Sequence, residues 1–62
     1  MYIVEINLSK DGTETIIELI PRNGGKRLKT VLKGNLLSSE SMWRVYMAKT
    51  KLEEEYKYGT NN

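Results

Sequence analysis

The chain has no cysteine and no histidine. The first absence removes disulfides and thiolate metal sites. The second removes the commonest general base and the commonest metal ligand. Together they exclude Ser/His/Asp and Cys/His constellations. No apolar run approaches the ~18 residues that a membrane span needs. Phenylalanine is absent, and proline occurs once, as Pro21. At the start, Met1-Tyr2-Ile3 leads directly into strand-like sequence, without a basic segment followed by an apolar one, so no signal peptide is expected. These features suit a reducing cytoplasm. A chain of 62 residues reads as one small domain over 1–62. It buries only about 60% of its unfolded surface, and small domains without staples often gain stability by oligomerising.

What is present is led by two turn signals, Asp11-Gly12 and Asn23-Gly24-Gly25. Between strand-like runs, Asp-Gly and Asn-Gly are strong hairpin signals, because a type I′ turn needs positive φ at both central residues. Centred on these turns, the two hairpins agree in register. Leu8 faces Thr15, Ile6 faces Ile17 and Val4 faces Leu19. Leu19 then faces Leu28, Ile17 faces Thr30 and Thr15 faces Leu32. One face therefore reads Tyr2, Val4, Ile6, Leu8, Thr15, Ile17, Leu19, Leu28, Thr30 and Leu32. A one-residue slip in either hairpin would scramble it. On the other face Glu18 falls beside Lys29, Glu14 beside Lys33 and Ile16 beside Val31, all favourable cross-strand pairs. Only Glu5 opposite Glu18 is unfavourable. Strands are expected over 2–9, 13–21 and 26–33.

A single helix is expected over 39–58, after a short connection at Gly34-Asn35-Leu36-Leu37. Ser38 is the expected N-cap, with Glu40 in the first turn. Leu37 and Met42 stand at hydrophobic-staple positions, and Gly59 follows the last periodic residue. Met42, Val45, Tyr46, Ala48, Leu52 and Tyr56 share one face at helical spacing. Lys49 lies inside that stripe and must carry its ammonium out to water. Glu40–Arg44 and Glu53–Lys57 have the spacing and order of helical ion pairs. A rival reading makes 26–37 a second helix, but the flanking and internal glycines oppose it. Residues 59–62 read as a frayed tail. The expected fold class is α+β, a three-stranded antiparallel meander followed by one C-terminal helix packed on one face.

Chemistry is thinly represented. Glu5, Glu14 and Glu18 share a sheet face, which reads as a charged surface balanced by Lys29 and Lys33 rather than an acid–base dyad. Glu53-Glu54-Glu55 points three ways around a helix. The Asn23-Gly24-Gly25 turn precedes a strand and lacks phosphate-loop spacing. No catalytic residue, cofactor, metal or small-molecule substrate is expected, and the chain reads as a non-enzyme.

Two surface features remain. Residues 1–18 carry a net charge of −3, residues 19–39 carry +5 and residues 40–62 are neutral. Arg22, Lys26, Arg27, Lys29 and Lys33 would form a basic third strand and hairpin tip. They could contact the phosphates of nucleic acid, although lysines on an edge strand also guard against edge pairing. The second feature is apolar surplus. Ile3, Ile16, Ile20 and Val31 lie on the outer sheet face, where the neighbours Ile3–Ile20 and Ile16–Val31 are expected to form one patch, and Trp43 and Met47 flank the helical stripe about a third of a turn off it. The first strand carries no lysine, so its edge is open to a further strand. The leading expectation is therefore a protein-binding module that also self-associates and acts by occupying a partner surface. A nucleic-acid-binding module is the alternative. The single alanine and the many Ile, Lys and Asn residues suit a phage or mobile-element regulator or an inhibitor of a host factor.

Overall fold

In a computed structural model, described for residues 1–59, the chain forms β1 (Tyr2–Leu8), β2 (Glu14–Pro21), β3 (Leu28–Lys33) and α1 (Met42–Tyr58), in that order. The three strands make one antiparallel sheet in the order β1-β2-β3. This is the βββα arrangement expected, and residues 26–37 hold no second helix. The register is the expected one: Ile6 and Thr30 flank Ile17, and Leu19 lies beside both Val4 and Leu28. Alternation explains why it holds. The middle strand buries Thr15, Ile17, Leu19 and Pro21 on one face and leaves Ile16, Glu18 and Ile20 half-covered on the other. A slip of one residue would put Glu18 under the helix.

The turns reach that register by a different backbone. Type I′ geometry is absent, since Asp11 and Asn23 do not have positive φ. Only Gly12 (φ 74°) and Gly24 (φ 84°) do. In each loop the glycine N–H closes a turn onto the carbonyl three residues back, Gly12 onto Ser9 at 3.0 Å and Gly24 onto Pro21 at 3.4 Å. The preceding Asp and Asn then bond forward with their side chains. Asp11 accepts from the Thr13 backbone N–H (3.1 Å), the Thr13 hydroxyl (2.7 Å) and the Ser9 hydroxyl (2.8 Å). Asn23 accepts from the Gly25 N–H at 2.9 Å. Such local side-chain bonds let Asx residues stay on the negative-φ side while the glycine takes the left-handed position. As a result β3 begins at Leu28, not at residue 26.

The helix starts three residues later than expected. Its N-cap is Ser41, and no side chain caps the free N–H groups. Ser38 lies outside, its carbonyl accepting from the Ser41 N–H (3.0 Å) and its hydroxyl donating to the Ser41 hydroxyl (3.3 Å). Glu40 consequently precedes the helix, and the first turn holds no acid. The Leu37–Met42 staple is also lost, because the fourth helical position now belongs to Val45, which is buried in the core. At the other end Gly59 sits at positive φ and donates to the Glu55 carbonyl at 2.8 Å, as a terminating glycine should.

Ile17, Leu19, Leu36, Val45 and Leu52 form the buried core, with Tyr2, Val4, Ile6, Leu28, Leu32, Ala48 and Tyr56 packed around it. Leu36 was expected only as part of a connection. It is buried because its N–H donates to the Thr15 hydroxyl (2.9 Å), while that hydroxyl donates to the Gly34 carbonyl (2.8 Å). One buried hydroxyl thus folds the β3–α1 connection back over the sheet and leaves no polar atom of its own unpaired. Met42 and Tyr46, placed in the core stripe from spacing, are exposed instead. Lys49, expected to carry its ammonium out to water, is half-covered, with the ammonium 3.2 Å from Glu53 Oε2 and 5.5 Å from the Tyr46 ring centroid. Thr60, Asn61 and Asn62, part of the expected frayed tail, lie outside the described residues. Among the described residues no helix is long and apolar enough to cross a membrane.

Candidate protein-binding surfaces

The register distributes the outer sheet face into rows running across the strands. Ile3 neighbours Ile20, and Ile16 neighbours Val31. Between these two pairs runs the row Glu5–Glu18–Lys29. Arg27 reinforces that row with an ion pair to Glu18 at 3.4 Å. The four aliphatic residues therefore make two islands separated by charge, rather than one continuous patch. Ile3 and Val31 are exposed, while Ile16 and Ile20 are half-covered by their neighbours.

The helix carries the larger apolar surface. Val45, Leu52, Ala48 and Tyr56 turn toward the sheet. At 100° per residue this leaves Trp43 and Met47 on the opposite side, nearly half a turn from the core rather than a third. Each is 62% exposed. Tyr46 joins them at 66% exposed. The three lie at i, i+3 and i+4 spacing, so their side chains are neighbours. With Leu32, Lys51 and Glu54 they line a shallow depression of about 630 Å³. Tyr46 was missed as a surface residue because its spacing also fits the core stripe. Its exposure depends on how the helix is rotated against the sheet.

The basic strand is largely answered by acids. Lys29 faces Glu18 and Lys33 faces Glu14 across the sheet, and Arg27 bonds Glu18. Arg22 and Lys26 stand exposed at the hairpin tip. The five cations thus do not form one unopposed field.

One polar network lies at the junction of β1 and α1. The Tyr2 hydroxyl donates to Glu53 Oε2 at 2.7 Å, and Lys49 Nζ approaches the same oxygen at 3.2 Å. Tyr2 and Tyr56 meet edge-to-face with ring centroids 5.2 Å apart. Glu53 therefore takes its helical partner one turn back, at Lys49, rather than at Lys57. Among the described residues the only other ion pair is Arg27–Glu18, so Glu40 and Arg44 do not pair. Donation to Glu53 holds the Tyr2 hydroxyl above its ordinary pKa. Accepting from Tyr2, and then from Lys49, holds the Glu53 carboxyl below its own. These shifts make Tyr2 a weaker acid and Glu53 a weaker base, the reverse of what proton transfer near neutral pH needs. The network acts as a clamp between strand and helix. Glu5 and Glu18 sit opposite each other on the open face, with Glu5 exposed and Glu18 half-covered. Among the described residues no cluster of three or more carboxylates is placed to share a metal ion. No family model, curated protein or solved structure matches the chain.

Proposed function

We propose that the chain is a non-enzymatic protein-binding module that acts by covering a partner's surface with the outer face of α1. The observation that supports this reading most is the row Trp43, Tyr46 and Met47, exposed on the side of the helix turned away from the core. Trp and Tyr dominate interface hot spots, and contiguous apolar surface on a small domain marks a contact site. Trp43 is the anchor, and Met47 and Tyr46 complete the apolar centre. Arg44, Lys51 and Glu54 supply a polar rim. On composition the partner is a host factor that the module regulates or inhibits, as a phage or mobile-element product would.

The test is capture from the native cell with the wild type and with a Trp43→Ala/Met47→Ala variant, then titration of the purified partner by calorimetry. Binding lost in the variant while its circular dichroism is unchanged supports the reading, and equal affinity removes it. Nucleic acid is the competing ligand. Weak binding is expected, with dissociation constants around 10⁻⁴–10⁻⁶ M at physiological salt, because Glu14 and Glu18 share the face of the cations. Nanomolar affinity for duplex DNA at ~150 mM salt, abolished by Lys29→Glu/Lys33→Glu, would replace the protein-binding proposal.

A further inference from the structure

We infer that β1 is the assembly edge of the molecule, pairing antiparallel with β1 of a second copy to make a six-stranded sheet with a two-fold axis at Ile6. This inference does not use the outer face of α1, so it stands or falls apart from the proposed function.

The two edges of the sheet differ in kind. Hydrogen bonds from Arg22 N–H to Met1 O (3.0 Å) and from Ser9 N–H to Glu14 O (2.9 Å) bracket β1. In an antiparallel ladder bonded pairs alternate, so the odd-numbered residues of β1 bond to β2. The N–H and C=O groups of Tyr2, Val4, Ile6 and Leu8 then project from the free edge. At the far side, Gly34 N–H donates to Thr13 O at 2.7 Å. The same alternation makes Lys29, Val31 and Lys33 the residues whose backbone projects from β3. One edge therefore presents its unpaired backbone beside lysines, a recognised guard against strand addition. The other presents it beside aliphatic side chains with no cation. Among the described residues nothing pairs with or covers that edge.

The helix leaves β1 under-covered. It packs on β2 and β3, and Val4, Ile6 and Leu8 stay half-exposed although they face the helix side. Tyr2 is the exception, held by Tyr56 and Glu53.

Chemistry selects the register. Centring the axis on Glu5 would set two carboxylates face to face. Centring it on Val4 would set Ile3 against Glu5 and draw on the already covered Tyr2. Centring it on Ile6 sets Ile6 against its copy, Val4 against Leu8 and Glu5 against Asn7. Within residues 4–8 apolar then meets apolar on the helix side, and polar meets polar on the open side. Both helices lie on the same side of the joined sheet, flanking a common row of Val4, Ile6 and Leu8.

Sedimentation of the wild-type chain from 1 to several hundred micromolar tests this, together with two kinds of variant. Glu5 and Asn7 are exposed on the open face, so Glu5→Lys/Asn7→Lys leaves the core alone. It sets lysine against lysine twice across the proposed junction, and should weaken dimerisation about tenfold or more with unchanged circular dichroism. Because the chain has no cysteine of its own, Glu5→Cys/Asn7→Cys should form a covalent dimer on mild oxidation, as facing unbonded positions lie about 4.5 Å apart. Glu5→Cys alone should not, since its copies would lie beyond disulfide reach. Trp43→Ala should leave the dimer intact. A monomer throughout the concentration range overturns the inference. So does a dimer indifferent to the lysine pair, one abolished by Trp43→Ala, or one locked by Glu5→Cys alone.

Discussion

Replacing Thr15 by Val should destabilise the protein more than replacing it by Ser, although valine is the more apolar residue and nearly the same shape. Thr15 is fully buried. Its hydroxyl accepts from the buried Leu36 N–H and donates to the part-buried Gly34 carbonyl. Valine removes both bonds, each worth about 1 kcal/mol net, and strands the Leu36 N–H, whose desolvation alone costs about 1–3 kcal/mol. The Gly34 carbonyl is less enclosed and can turn to water. The added methyl recovers about 1 kcal/mol. The balance is a loss of about 2–4 kcal/mol. Serine keeps both bonds and gives up one methyl, about 1 kcal/mol. A domain of this length has about 3–9 kcal/mol in total, so the valine variant should lose a large share of it. Urea unfolding followed by far-ultraviolet circular dichroism reads both values. Should Thr15→Val prove as stable as wild type, or more stable than Thr15→Ser, the hydroxyl is not what pins the connection and the account of Leu36 burial fails.

Leu52→Ala should cost about 2–5 kcal/mol as a cavity in the core, whereas Trp43→Ala should stay within about 0.5 kcal/mol of wild type; a larger loss at Trp43 in the same assay would show that it is not a surface anchor. Neither Ser38→Ala nor Ser41→Ala should show the ~1 kcal/mol typical of a lost N-cap, because neither hydroxyl bonds a free helical N–H; a full capping loss at either would contradict the helix start. Asp11 is held below its ordinary pKa, chiefly by the Thr13 hydroxyl, and Glu53 chiefly by Tyr2. Their stabilisation is therefore present above the unfolded carboxylate pKa and is lost as pH falls through the lowered folded values. Tyr2, held above its ordinary pKa, contributes below the unfolded tyrosine pKa and loses that contribution as pH rises through the raised one. Urea titrations across pH should show the acid-side loss reduced in Asp11→Asn and the alkaline-side loss reduced in Tyr2→Phe, and unchanged profiles would contradict both assignments.

The sequence by itself determined the sheet. Two loop glycines at fixed spacing and an alternating pattern in three strands admit one pairing that buries a continuous apolar face. That pairing survived even though the turns are not type I′, because register depends on loop length and alternation more than on which residues take positive φ. The exposure of Trp43 and Met47 was legible for a similar reason, since neither fits the stripe through Val45 and Leu52. Tertiary structure decided the rest. Met42, Trp43, Val45, Tyr46 and Met47 spread an apolar arc of about 200° around the first turns of α1, wider than one buried face, so periodicity alone defines no unique inner face. Docking on β2 and β3 chose Val45 and turned Met42 and Tyr46 outward, which created the exposed row and left β1 half-bare. Leu36 lies in a connection with no period to read. Its burial follows from a hydrogen bond between residues 21 positions apart, which exists only once the sheet and the connection have met.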